Sequence, residues 1–202
     1  MTVECDGAGN IAQLNSWLNS NGGASASDVC SGVSWSNDFV ALSDDCGATG
    51  SATVTFTATD DCGLATTTTA TFTIEDTTPP AFSATAEDLT VECDGAGNTT
   101  QLNDWLNSNA NAAASDVYGG VTWTHDFIAL SDDCGETGMS TVTFTVTDDC
   151  GNSVYTSAQF TIEDTTAPSM DVESADLTVE CDGAGNTSAL NGWLASNGGA
   201  AA

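Results

Sequence analysis

No lysine and no arginine occurs in this chain of 202 residues, against 29 aspartates and glutamates, which leaves a formal net charge of −29 at neutral pH. With no basic side chain to neutralise phosphates, nucleic-acid binding is excluded. Adsorption to an anionic leaflet fails for the same reason. A Schiff-base lysine, an arginine clamp on phosphate and a lysine–asparagine crosslink are equally unavailable. Histidine is almost missing too. The single imidazole, His125, stands where the other complete copy of its segment has Asn37, so it reads as a strand residue rather than a general base or a ligand. Proline occurs three times. No apolar run approaches the roughly 20 residues of a membrane-spanning helix, so direct membrane insertion is not expected. A polyanion of this density repels itself, so screening salt or bound divalent cations belong to its working conditions.

What the chain does have is repetition. The run Thr-Val-Glu-Cys-Asp-Gly-Ala-Gly-Asn starts at Thr2, at Thr90 and at Thr178, a period of 88 residues. Ser43-Asp44-Asp45-Cys46-Gly47 returns in phase at 131–135, and Thr59-Asp60-Asp61-Cys62-Gly63 at 147–151. A unit this long can bury its own core, unlike a short solenoid repeat. Met1 stands where Leu89 stands in the second copy, and Ala202 falls about a quarter of the way into a third. The expectation is a segment of a longer tandem array. The rival reading is a self-contained subunit whose third, partial copy completes a neighbour by strand donation.

Within one unit, Leu89–Glu92 predicts a short strand. A Gly-rich turn then leads into a helix capped by Asn98, with Gln101 at the reach-back position of a capping box; Asn10 and Gln13 repeat the pattern. The helix places Ile11, Leu14, Trp17 and Leu18 on one face and ends at Gly22-Gly23. Trp17, Trp105 and Trp193 read as core residues that fasten this helix to a sheet, rather than as platforms for sugar stacking. The remainder reads as β. Residues 33–35, 53–59, 70–75, 121–123, 141–147 and 159–163 alternate apolar residues with threonine or serine. Asp-Asp-Cys-Gly marks the turns, and Pro79-Pro80 ends strand pairing. The domains are therefore 1–78, 79–166 and 167–202, the first and last incomplete.

Eight cysteines point to an oxidising, secreted setting. Copy one holds Cys5, Cys30, Cys46 and Cys62. Copy two holds Cys93, Cys134 and Cys150, with Tyr118 in the place of Cys30, and Cys181 opens copy three. Four cysteines allow three pairings, and spacing does not choose among them. The loss at Tyr118 favours Cys46 with Cys62, Cys5 with Cys30 and Cys134 with Cys150. Zinc is disfavoured, since there is no close Cys-x-x-Cys pair and no histidine that repeats.

The Asp-Thr-Thr-Pro-Pro entry, the Asp-Leu-Thr-Val-Glu first strand, the Val-Thr-Trp-Thr strand and the Thr-Val-Thr-Phe-Thr-Val-Thr-Asp-Asp-Cys-Gly-Asn segment together resemble the hyalin-repeat family. More closely, they resemble the cysteine-containing hyalin-like repeats of giant surface proteins of Bacteroidota. The resemblance implies tandem immunoglobulin-like β-sandwich domains, each with a short helical insert after the first strand. It also implies an extracellular, cell-surface or filamentous stalk or adhesive module, not an enzyme. Its partners would be neighbouring repeats or identical chains, and surface glycans if the array binds carbohydrate, which is the alternative function.

In such a sandwich the turns carrying Asp132, Asp133, Asp148 and Asp149 are expected at the end where the chain enters, near Glu75 and Asp76 and not far from Glu87 and Asp88. Hard oxygen ligands at a junction suit calcium, which would stiffen it. The plainer alternative is that these carboxylates form turns and confer solubility. Asp-Thr-Thr at Thr77 and Thr165 resembles an O-glycan acceptor of Bacteroidota-like secreted proteins.

Overall fold

A computed structural model describes residues 1–201. It is mainly β and divides into two compact units, Met1–Glu163 and Asp164–Ala202. In the first unit, copy one supplies β1 (Thr2–Glu4), α1 (Ile11–Asn19), β2 (Val33–Asn37), β3 (Gly50–Asp60) and β4 (Ala65–Glu75). Copy two supplies β5 (Ala81–Ala84), β6 (Leu89–Glu92), α2 (Thr99–Asn107), β7 (Ala113–Ser115), β8 (Val121–His125), β9 (Gly138–Asp148) and β10 (Ser153–Glu163). The same four-stranded sheet forms twice, in the orders β1-β4-β3-β2 and β6-β10-β9-β8. The short first strand lies parallel to the last, while the long strands pair antiparallel.

Period-two alternation decides which face is covered. Along β9, Val142, Phe144 and Val146 are fully buried, and the threonines between them are partly exposed. Against that face lies the helix, which contributes Leu102, Trp105 and Leu106 to the core. Trp105 meets Phe144 edge-on, at 5.3 Å between ring centroids and 79° between planes. Trp17 meets Phe56 at the same distance and angle, so both copies use one packing solution. The opposing layer also holds the β5–β7 ribbon, whose Phe82 packs on Trp123. Sheet against helix and ribbon gives a two-layer sandwich of immunoglobulin type. The ribbon strands were not legible as such: Ala-Phe-Ser-Ala and Ala-Ala-Ser carry neither β-branched residues nor a clear alternation.

The helix entry differs from the expected capping box. Asn98 is at the N-cap with φ 47°, but its side chain makes no cap hydrogen bond. Its Nδ2 donates to the Glu92 carbonyl and its Oδ1 accepts from the Asp94 amide. The Asp94 carboxylate in turn accepts from the amides of Ala96 and Asn98. Those amides, Asn98 first, hold the Asp94 carboxyl below its ordinary range. The left-handed backbone turns the asparagine back toward the preceding strand, so the side chain ties strand to helix instead of capping. Asn10 and Asn98 are fully buried within this knot. One helix-face assignment also fails: Ile11 is 63% exposed while Leu14 and Trp17 are buried.

The second unit contains α3 (Thr187–Ala195) and an antiparallel bridge between Val172 and Ala201. Asp182 and Asn186 repeat the same knot. The Trp193 indole donates to the Ala175 carbonyl at 2.8 Å, as Trp105 does to Glu87 at 2.9 Å. No described helix is long and apolar enough to cross a membrane.

Candidate metal centre at the joint between the first two copies

Within the first unit, the end of copy one where β3 begins and β4 finishes meets the β9–β10 turn of copy two. Three kinds of contact hold them. The first is covalent. Cys46, in the turn before β3, is bonded to Cys150 in the β9–β10 turn, with 5.1 Å between the Cα atoms. This corrects the expected pairing of Cys46 with Cys62 and of Cys134 with Cys150. In each copy those two cysteines flank an 11-residue strand, which sets them at opposite ends, on the order of 30 Å apart. Cys5 is buried and unbonded, and Cys30 is exposed and unbonded, so that expected pair is not formed either.

The second contact is steric. Tyr118 lies over Gly7 and joins the core of copy one around Cys5. Its backbone carbonyl sits so close to Gly47 that a Cβ there would collide with it. Gly47 has φ +57°, and both facts demand glycine. The third contact is polar. Asn152 donates its Nδ2 to the Asp76 carbonyl at 2.9 Å and to the Asp148 carboxylate at 2.9 Å.

Around Asn152 three carboxylates converge. One oxygen each from Asp76, Asp116 and Asp148 can be chosen so that all lie within 4.8 Å of one another. Asp76 comes from the connecting segment, Asp116 from the loop after β7 and Asp148 from the end of β9. Burial, together with repulsion from Asp116, Asp148 and Glu4, pushes the Asp76 carboxyl above its ordinary range, although a hydrogen bond from the Thr78 amide opposes this. Burial alone would also raise Asp148, which is 6% exposed. Hydrogen bonds from the Asn152 side chain and amide, and from the Cys150 and Gly151 amides, outweigh it and bring Asp148 below that range. With no lysine or arginine in the chain, the only available counter-charge is a cation from solution. An all-oxygen, carboxylate-rich donor set fits a hard divalent ion such as calcium, with carbonyls and waters completing its shell.

Of the eight carboxylates expected at a metal site, the fold brings together Asp76 and Asp148. Asp149 is nearby but accepts from the Gly120 amide at 2.7 Å. Asp132 and Asp133 are at the other end of β9 from Asp148; the strand itself separates them, and Asp133 accepts from the Ser131 hydroxyl. Glu75 ends β4, exposed and in register with Glu4. The Asp88 carboxylate accepts from the Gln159 amide, and that of Glu87 from Asn111, so both are occupied along copy two. Asp116 was missed. The signal for it existed, since Asp28 stands in phase with it in copy one. Thr77 is exposed, with its hydroxyl donating to Glu4 at 2.8 Å; Thr165 is exposed as well.

No family model matches the chain, and no curated protein does. The hyalin-repeat resemblance therefore stands on its motifs. Among solved structures, the chain is similar to protocadherin gammaB7 EC3-6 in its cis-dimer structure, at 15% identity over 65% of this chain and 41% of that one, with a TM-score of 0.26. It is similar to Drosophila N-cadherin EC1-4 at 11% identity over 67% and 42%, with a TM-score of 0.27. It is also similar to the human desmocollin-1 ectodomain at 11% identity over 60% and 28%, with a TM-score of 0.24. The chain spans less than half the length of each, and superposition this slight carries no functional argument.

Proposed function

We propose that this chain is an extracellular structural and adhesive module: a row of β-sandwich repeats whose joints are fixed by disulfides and stiffened by calcium. The observation that carries the reading is the construction of the joint. A disulfide, a tyrosine seated on two glycines and three converging carboxylates all fall between copies rather than inside one. An array that had only to fold its modules would need none of these. One that must hold a fixed angle between them needs such contacts, because interdomain motion is otherwise the default. A disulfide between partly exposed turns fits an oxidising exterior. On this reading the domains are 1–78, 79–166 and 167–202, the partners are repeats of the same kind, and length and multivalency follow from copying the unit.

Calcium at Asp76, Asp116 and Asp148 would supply a bridge between the connecting segment and copy two while removing carboxylate repulsion. The test is calorimetric titration of the chelated chain with calcium, alongside thermal melts and small-angle scattering. One saturable site is expected, with a higher melting temperature and a narrower distribution of end-to-end distance. Asp116→Asn should weaken that site with the fold intact. No heat and no change in melting at millimolar calcium would remove the metal from the account.

A further inference from the structure

We propose that the Cys46–Cys150 bond is a redox gate on the cation site of the joint: with the bond formed the three carboxylates hold calcium tightly, its reduction loosens them, and bound calcium in turn protects the bond from reduction. The inference rests on the calcium reading above and adds its regulation. It is carried by the way the ligand-bearing segments grip copy one. Asp148 and Cys150 are two residues apart, and so are Asp116 and Tyr118. Cys150 is bonded to Cys46, and the Tyr118 carbonyl lies against Gly47, the next residue. The short Cys46-Gly47 turn of copy one is thus held from two sides, each time by a residue whose neighbour but one is a candidate ligand.

Each grip is hydrogen-bonded to its carboxylate. The Cys150 amide donates to Asp148 Oδ1 at 2.9 Å, and the Tyr118 amide donates to Asp116 Oδ1 at 2.7 Å. The backbone that carries the sulfur therefore also orients the ligand, and displacing one displaces the other. Asp76, by contrast, is tied to copy one. The segment that follows it is clamped there by Glu4, whose carboxylate accepts from the Thr77 amide at 2.9 Å, the Thr77 hydroxyl at 2.8 Å and the Thr78 hydroxyl at 2.9 Å. The cluster is complete only while copy one, holding Asp76, stays against copy two, holding Asp116 and Asp148.

Electrostatics acts against that closure. Three carboxylates within 4.8 Å of one another repel, in a chain with no lysine or arginine to set between them. The Asn152 amide bridges the Asp76 carbonyl and the Asp148 carboxylate, but it carries no net charge. The disulfide resists the repulsion, and a cation removes it. Both stabilise the same closed arrangement, which fixes the sign of their coupling: each strengthens the other, and by the same factor. Had all three carboxylates stood on one copy, the bond would be indifferent to the metal.

Cys46 and Cys150 are both partly exposed, so a small dithiol reaches them. One thiolate of the dithiol attacks the Cys150 sulfur, and the Cys46 sulfur leaves as a thiolate and takes up a proton. The second thiol then closes on the mixed disulfide and releases Cys150. The protein gains two electrons and two protons, and the dithiol becomes a cyclic disulfide. Without the bond, the Tyr118 seat and the Asn152 bridge face the repulsion alone.

The experiment titrates the full chain with calcium in a calorimeter, with and without dithiothreitol. Reduction should weaken calcium binding about tenfold, within the usual range of coupling between sites. In the reverse direction the chain is equilibrated in mixtures of reduced and oxidised dithiothreitol, with chelator or with millimolar calcium at matched ionic strength. Alkylation then quenches the exchange, and the Cys46–Cys150 peptide is quantified by mass spectrometry. A tenfold coupling corresponds to a midpoint about 30 mV more negative with calcium. Asp116→Asn should keep the bond and lose that shift, which separates binding at the site from screening of surface charge. Equal affinity in both redox states with an unmoved midpoint, or tighter binding to the reduced chain, overturns the gate and leaves calcium at the joint standing. A midpoint that shifts as far in Asp116→Asn overturns it too, since the ion then acts away from these carboxylates. No calcium binding in either state overturns the gate and the calcium reading together.

Discussion

At the scale of single residues, Gly47 and Gly135 form a matched pair. They share a sequence context and a positive φ, but only Gly47 lies beneath the Tyr118 carbonyl. Gly135→Ala should cost about 1 kcal/mol for the left-handed backbone alone. Gly47→Ala adds a collision with backbone that cannot rotate away, and should cost roughly 1–3 kcal/mol more, read as the difference between two urea melts. Asp76 is the second such residue. Its raised pKa means that its proton favours the fold; this contribution is complete at low pH and is lost as pH rises through the raised value. Asp148, Asp94 and Asp6 have lowered values, so their contribution is present above the ordinary carboxylate range and lost as pH falls through it. The contribution of these three should therefore be lost as pH falls below about 4, read as a falling melting temperature. Asp76→Asn should raise the melting temperature at neutral pH without calcium and erase the gain that calcium brings. Single residues were only half legible. Asp76 and Asp148 were expected in the site because a sandwich topology puts the turn of one near the linker that carries the other, whereas Asp116 offers in sequence only its in-phase repetition of Asp28, and the fold alone brings it across.

At the scale of elements, the unit that recurs most faithfully is the Asp-Gly-Ala-Gly-Asn turn between first strand and helix, knotted alike at Asn10, Asn98 and Asn186. Asn98→Ala removes two side-chain hydrogen bonds, to the Glu92 carbonyl and from the Asp94 amide. Each such bond contributes about 1 kcal/mol, so a calorimetric transition for copy two should fall below that of copy one. Strands were the readable part, since threonine alternating with valine or phenylalanine admits one conformation and one covered face. The strand Leu89–Glu92 was legible to the residue. The knot was misread as a capping box because the residue types are the same in both; only the sign of φ at the asparagine tells them apart. The ribbon strands were missed since their residues are small, and the fold rather than propensity makes them extended.

At the scale of the whole molecule, cysteine pairing is what local reading could not supply. Cysteines 16 residues apart look like a loop clasp until the strand between them is known to be straight. The Cys46–Cys150 bond has a sequence separation of 104, and a closed loop of that size stabilises by about 4–5 kcal/mol in the chain-entropy account. Reductant should thus lower the stability of both copies together, seen as a single downward shift of both transitions, rather than acting on copy one more than copy two.

That bond also decides how the chain answers to tension. Pulled from its two ends, the polypeptide transmits force across sulfur at Cys46 and Cys150, and the stretch between them, a sequence separation of 104, bears no load. Roughly 350 Å of contour is held in reserve, out of reach of stretching until the bond is reduced. In a pulling experiment that length should appear as an added extension step only with reductant present, so a tether built of such modules would yield little under strain in an oxidising exterior and pay out slack on reduction.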